Sequence, residues 1–359
     1  MGAPVEEPLE PLCDRFLRET VRHWQTWVKH CDIPPLYQEE VIRSALTLKL
    51  HCFEDTGAIV AAMTTSIPES PASGRTWDYR YCWLRDAYYA LGAFHLLGQF
   101  EERESFLGFL LNVAASANDL DLAPLYRIDG KTDLTEQVLA DWAGYNGGDG
   151  PVRVGNAAAS HQQNDVFGEM VLALLPLFVD ARFRDHVTQP VVDLVARLAR
   201  KAIRVAGEPD AGIWEWRTES RRRTFSTLMC WAAADRMARI AKLQCAQNVG
   251  EFESGAAAIR ASLLKDGIDP IRDCLVADVG GSEVDASLLQ AVTLRLLPPT
   301  IRGCMPRSMP CAPTSTSAAG SAATAPTTAS ASPRWRSRSV PFGWWRRSPC
   351  SGGCRPRAK

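Results

Sequence analysis

The spacing of hydrophobic positions along the chain is helical almost throughout. Residues 9–31 place Leu12, Phe16, Val21, Trp24, Trp27 and Val28 on one stripe ahead of Pro34-Pro35, which predicts an amphipathic helix stopped by the proline pair. A second helix is expected over 38–53, where Val41, Ile42, Ala45, Leu46, Leu48 and Leu50 make a wide apolar face. Residues 84–97 are apolar nearly all round and end at Gly98, the mark of an inner helix; 101–113 opens on acidic residues and reads as an outer partner. The alternation continues through 165–178 (apolar), 187–205 (amphipathic), 224–243 (apolar), 251–265 and 284–297. Beyond the N-terminal segment this gives eight helices, alternately buried and amphipathic, with no alternating strand pattern between them. The expected class is therefore all-α, with helix pairs stacked in a ring or solenoid.

After Pro298-Pro299 the periodicity stops. Residues 301–359 hold eight Pro, long Ser/Thr/Ala runs, nine Arg, one Lys and no acid, a charge of +10. The first 300 residues carry 30 basic and 41 acidic side chains, a net of −11. Such a tail reads either as a disordered basic extension or as sequence out of frame. The second is favoured, because shifting GC-rich codons for Thr300 to Met305 by one base yields an ordinary Asp-Pro-Arg-Met. A mildly acidic body gives no sign of nucleic-acid binding. Nothing at the N-terminus resembles a signal peptide and no run of 18 apolar residues occurs, so no membrane span is expected. The body's seven Cys form no C-x-x-C pair, which predicts buried free thiols and a cytoplasmic protein.

Two segments can carry chemistry. Residues 74–87 hold Arg75, Arg80 and Arg85, Asp78 and Asp86, Trp77 and Trp83, Tyr79 and Tyr81. Aromatic faces stack on the C–H faces of a sugar, and Arg and Asp bond hydroxyls, so the stretch suits a ligand surface; a polar seam buried between helices has the same composition. The second segment, 210–217, sets Glu215 between Trp214 and Trp216. A carboxyl between indoles would be held protonated, as a general acid needs, whereas a surface Glu pairing with Arg217 or Arg221 is the plain alternative. The six His form no ligand spacing, so neither a metal nor another cofactor is expected. The long passage 117–160, with Tyr126-Arg127-Ile128-Asp129-Gly130 and a Gly-rich run ending in Arg153 and Asn156, is too long for a plain connector and is expected to serve function.

Trp77-Asp78-Tyr79-Arg80-Tyr81-Cys82-Trp83-Leu84-Arg85-Asp86, Pro151-Val152-Arg153-Val154-Gly155-Asn156-Ala157-Ala158 and Gly212-Ile213-Trp214-Glu215 occur in an order that resembles glycoside hydrolase family 15, the bacterial glucoamylases and trehalase-like enzymes. Gln163, Asp165-Val166-Phe167-Gly168-Glu169, Met229–Arg236 and Gly280–Leu289 extend the likeness over about residues 20–298. The resemblance implies an (α/α)6 barrel of twelve helices, of which about eight are represented, and inverting hydrolysis of a terminal α-glucosidic bond in a maltooligosaccharide, α-glucan or trehalose. One carboxylic acid would protonate the leaving oxygen while a carboxylate about 6.5–9.5 Å away activates water. It makes Glu215 the general acid; Arg85 and Asp86 would grip the terminal glucose, Trp83 and Trp214 line its pocket, and Arg153, Asn156 and Gln163 lie nearby. It also implies the division 1–33, a linker helix of the kind that follows a β-sandwich domain; 34–299, a partial barrel; and 300–359, the basic tail. The family's general base would follow residue 300, where no acid exists. A second expectation, of a different class, is a noncatalytic carbohydrate-binding or sensor protein that keeps the glucose site.

Overall fold

The computed structural model describes residues 7–297 apart from 72, 149 and 245–247. The basic tail expected at 300–359 lies outside the described residues. The N-terminal stripe forms helix α1 (Leu9–Lys29), but none of its residues is buried. Phe16 and Leu17 are more than half exposed, and only Trp27 reaches the core. Helix α2 (Gln38–Leu50) buries Ala45 alone. The N-terminal pair is thus an outer appendage of the body, since the stripe that predicted α1 has little to pack on.

Six further helices make the body: α3 (Leu84–Leu96), α4 (Glu101–Ser116), α5 (Val166–Val179), α6 (Gln189–Val205), α7 (Thr224–Leu243) and α8 (Val249–Asp266). The apolar helices α3, α5 and α7 pack side by side as an inner layer, and α6 and α8 back them from outside. This follows from their composition. Helix α7 buries nearly every residue from Thr224 to Ala241, which requires neighbours all round it. Helix α6 buries one stripe, Val191, Leu194, Val195, Leu198, Ala199 and Ala202, and leaves its basic face to solvent. Phe94, Phe106, Leu110, Met170, Leu174, Leu228 and Phe252 join one continuous core. The all-α class and the partial (α/α)6 arrangement are those expected.

The eighth expected body helix, 284–297, is not one continuous α-helix. Asp285 turns its side chain onto the Ser287 amide and starts a 3₁₀ turn, Ala286–Leu289, followed by a four-residue α-helix, Gln290–Thr293. The chain then reverses through Arg295 (φ 64°), with the Leu296 and Leu297 amides donating back to the Ala291 carbonyl. The same apolar residues that mimic a helical stripe, Leu288, Leu294, Leu296 and Leu297, are buried by this compact reversal instead.

Short extended pieces connect the helices and aim their ends. Cys82–Trp83 pairs antiparallel with Leu125–Tyr126, in the register Cys82 to Tyr126 and Trp83 to Leu125, immediately before α3 begins. Gln137–Val138 pairs with Arg153–Val154. The described cysteines are all free thiols, but only Cys82, Cys230 and Cys274 are buried; Cys13 is exposed and Cys31 and Cys52 are partly so.

Candidate active site

The N-terminal ends of α3 and α5 meet the loop between α6 and α7, and this junction collects most of the residues singled out from sequence. Trp83 is the last residue before α3, so Arg85 and Asp86 fall in that helix's first turn. Gln163 stands three residues before α5. The connecting loop brings Glu215, whose backbone is left-handed (φ 56°), a conformation non-glycine residues seldom adopt. Gly212 (φ +67°) makes the preceding turn, and a Cβ there would lie 2.9 Å from Arg223 Cγ. The turn closes by the Glu215 amide donating to Gly212 O at 3.0 Å and the Trp216 amide to Ala211 O at 3.1 Å.

Three donors converge on one oxygen of Glu215. Trp83 Nε1 donates to Oε1 at 2.6 Å, an Arg85 guanidinium nitrogen at 3.2 Å and Gln163 Nε2 at 3.3 Å. Arg85 also donates to Gln163 Oε1 at 3.3 Å and lies 3.6 Å from the Asp86 carboxylate. The Arg85 and Glu215 side chains are each 17% exposed, so their pair is largely shielded from water yet reachable. Burial disfavours the Arg85 charge, but Asp86, Glu215, Glu169 and Asp165 around it hold the guanidinium firmly protonated. Trp83 itself is buried, with Tyr79 packed against it at 5.4 Å between ring centroids.

The two indoles beside Glu215 in sequence do not enclose it. Trp214 and Trp216 are both exposed, and Trp214 Nε1 donates to Asp285 Oδ2 at 2.5 Å. The apolar sandwich expected from the local sequence is therefore replaced by a polar cluster built from α3 and the segment before α5.

Arg153 and Asn156 belong to neighbouring networks. Arg153 donates to Glu136 at 2.7 Å and lies over the Trp77 ring at 4.8 Å; Arg217 covers that ring at 3.8 Å and also donates to Glu136, at 2.9 Å. Asn156 is buried, its amide donating to the Asp78 carbonyl and accepting from the Ala158 amide. Asp78 is the hub here: fully buried, it accepts from Arg80, the Tyr81 hydroxyl and the Gly155 amide. Asp78 and Tyr81 of the 74–87 stretch thus build a polar seam, while its Trp83, backed by Tyr79, with Arg85 and Asp86 builds the site around Glu215. Both readings of that composition are realised, in different residues.

Asp165, Glu169, Asp210 and His161 have no role expected from the sequence. Asp165, just before α5, and Glu169, in its first turn, are 1% exposed and one turn apart, and none of their four carboxyl oxygens has a hydrogen-bond partner. Burial lifts the Asp165 carboxyl to about 6, and burial with Asp165 beside it lifts Glu169 well above the carboxylate range. The signal available was an acid at i and i+4 on an otherwise apolar helix. Burial pushes the His161 imidazole down, against the pull of nearby Glu215. Among the described residues no group of His, Cys, Asp and Glu could hold a metal ion, and no helix is long and apolar enough to cross a membrane.

The inner layer of helices, with Arg85 and Asp86 in the first turn of α3 and Glu215 on the loop facing them, is a helical fold shared with solved glycosidases. A bacterial glucoamylase complexed with acarbose superposes with TM-score 0.53 at 17% identity, over 78% of this chain and 37% of that one. A wild-type glycosidase gives TM-score 0.51 at 19% identity, over 73% and 65%. Residues 35–319 match the sequence profile of Glycosyl hydrolases family 15, and the chain belongs to that family. The trehalase of Mycolicibacterium smegmatis is 36% identical over 307 residues, 83% of this chain and 45% of the relative. That of Thermoplasma acidophilum is 34% identical over 283 residues, 79% and 48%. The chain spans less than half the length of either relative.

Proposed function

We propose that this chain carries the glucose-gripping and proton-donating part of a glycosidase site that acts on a terminal α-glucosyl unit, with trehalose as substrate and maltooligosaccharides as the second choice. The observation that carries the reading is the convergence of Trp83, Arg85 and Gln163 on Oε1 of Glu215. Fixing one carboxyl oxygen with three donors leaves Oε2 to carry the proton toward a glycosidic oxygen. It also places Arg85 where it compensates the carboxylate left behind after transfer. Asp86, with its side chain 42% exposed beside Arg85, is placed to accept sugar hydroxyls. The exposed Trp214 offers a face for the ring, whereas Trp83, expected from the sequence to line the pocket, is buried and acts through its indole N–H on Glu215. Arg153 and Asn156, engaged as they are, act in this reading by shaping the loops around the site. The names of the relatives favour trehalose.

Inversion needs a second carboxylate to activate water from the opposite face. Asp285 is the last acid in the sequence, and it caps the turn at 286–289 and accepts the Trp214 indole. We assign the base to none of the residues present, and treat 34–299 as the partial barrel, between a linker helix and the basic tail. The purified chain should then bind trehalose saturably by calorimetry, with binding lost in Asp86→Ala. Its glucose release should run about 10²–10⁴-fold below that of an enzyme with both groups. Robust release abolished by Glu215→Gln would keep the acid and overturn the missing base; neither binding nor release would overturn the reading altogether. Binding with no release under any condition, from a chain that melts cooperatively, is the signature of a sugar sensor.

A further inference from the structure

Asp210 lies where the loop carrying Glu215 leaves the body, and it is 0% exposed. Its backbone pairs with Arg221 in both directions, closing the base of the loop at 2.9 and 3.0 Å. Its carboxyl reaches across to a different segment: Oδ2 accepts from the Asn164 amide at 2.7 Å and from the Ser226 hydroxyl on α7 at 2.7 Å. The next residue, Ala211, donates its amide to Gln162 O at 2.9 Å. The residues on both sides of Gln163 are thus bonded to Asp210 and Ala211, five and four residues before Glu215. Arg85 bridges the two side chains, and the bonds at Asp210 and Ala211 align the segments that carry them, where Gln163 Nε2 meets Glu215 Oε1 at 3.3 Å.

We propose that Asp210 is a positioning residue of this site, whose buried carboxyl fastens the Glu215 loop to the Gln163 segment and to α7. The assignment deepens the glycosidase reading above and rests on it for its functional meaning, although the geometric part stands by itself. The groups that face Asp210 are Asp165, Arg223 and Cys230, besides the neutral Asn164 and Ser226. Burial, then Asp165, raise its carboxyl to about 7 against the bonds from Asn164 and Ser226 and the charge of Arg223. The neutral form keeps both acceptor bonds through Oδ2. The charged form strengthens both of those bonds but sets an anion beside Asp165 with Oδ1 unpartnered, and that repulsion shifts the junction. Asp210→Asn mimics the neutral form at every pH.

The test uses the full chain and two readouts. Trp83 donates its indole N–H to Glu215 at 2.6 Å, so the Trp83 indole resonance in a ¹⁵N-labelled sample, identified by its loss in Trp83→Phe or its shift in Glu215→Gln, reports the cluster without any sugar. In the wild type this resonance should move as pH rises from 6 to 8.5, and in Asp210→Asn that movement should shrink to what Asp165, Glu169 and His161 contribute. His161, which lies near Glu215, is present in both proteins and cancels in the difference. In parallel, trehalose affinity by calorimetry should weaken at least threefold over the same range in the wild type and stay level in Asp210→Asn. Asp210→Ala, if it melts cooperatively, should lose at least tenfold in affinity while Asp210→Asn at pH 6 stays within threefold of wild type. Identical pH profiles of the indole resonance in wild type and Asp210→Asn would overturn the proposal whether or not sugar binds. Sugar binding absent from the wild type, with the resonance behaving as expected, would overturn the glycosidase reading and leave the positioning role standing.

Discussion

Asp78 accepts more bonds than any other carboxylate near the site, and its environment decides the sign of its contribution. Burial alone would raise its carboxyl, but the bonds from Arg80, from the Arg80 amide and from Tyr81 outweigh burial and lower it. A depressed acid stabilises the fold above its unfolded value near 3.8 and loses that contribution as pH falls through the lower folded one. Replacing it removes an acceptor shared by the 74–87 stretch and the loop at Gly155. Asp78→Ala strands the Tyr81 hydroxyl and takes an acceptor from the Gly155 amide, while the half-exposed Arg80 returns to water, and we expect a cost of about 1–3 kcal/mol, read by urea denaturation at pH 7. Asp78→Asn keeps one acceptor oxygen and should cost less than half as much. Equal costs for the two would mean the site is indifferent to the charge-assisted bonds. A segment whose composition suits a ligand surface or a buried polar seam thus spends its Asp78 and Tyr81 on structure. Sequence could not divide these roles, because whether a Tyr or Asp faces a seam or a cleft depends on strand register, here that of Cys82 to Tyr126 and Trp83 to Leu125.

At the scale of helices the hydrophobic pattern located α1 to α8, since each runs long enough for its period to register. It overstated 284–297, where four buried leucines serve a reversal, and it assigned α1 an apolar stripe that the body does not cover. Distances between helices were not legible at all. Gly168 on α5 looks no different in sequence from Gly92 on α3 or Gly108 on α4. Yet a Cβ at Gly168 would lie 2.2 Å from the Met229 carbonyl oxygen of α7, whereas Gly92 and Gly108 meet nothing within 4 Å. Helices α5 and α7 touch backbone to backbone, which holds the N-terminal end of α5, with Gln163 and Asp165, close over α7. Gly168→Ala should therefore force the pair apart and cost about 3 kcal/mol, the upper end for overpacking a tight core. Gly92→Ala and Gly108→Ala, exposed and unobstructed, should each gain about 0.5–1 kcal/mol from helix propensity. Thermal melts of the three variants decide this; a neutral Gly168→Ala would mean the α5–α7 contact can relax without loss.

For the molecule as a whole, two populations of acids pull stability in opposite directions with pH. Asp78, Glu136 and Asp180 sit below their ordinary values; for Asp78 and Glu136 burial is outweighed by arginine and backbone donors, and for Asp180 the bond from Arg182 leads. Their stabilisation is complete at neutral pH and fails only in strong acid. Asp165, Glu169 and Asp210 sit above theirs because burial disfavours the anion, with Asp165 at about 6 and Asp210 at about 7. A raised acid takes up more protons folded than unfolded, so it favours the fold below its unfolded value and loses that advantage as pH climbs through the folded one. Between the two windows, near pH 4–5, both contributions are present together. The chain should accordingly melt at its highest temperature in mild acid and lose stability steadily from about pH 5 to 7.5, opposite to a protein governed by salt-bridged carboxylates. Glu169 is the sharpest probe, since both its oxygens are buried without a partner. Glu169→Gln keeps the shape but cannot ionise, and should stabilise the chain at pH 7.5 relative to the wild type, with the gain vanishing near pH 4. A destabilised Glu169→Gln at pH 7.5 would mean that the carboxylate is held by a partner that only its charged form can engage.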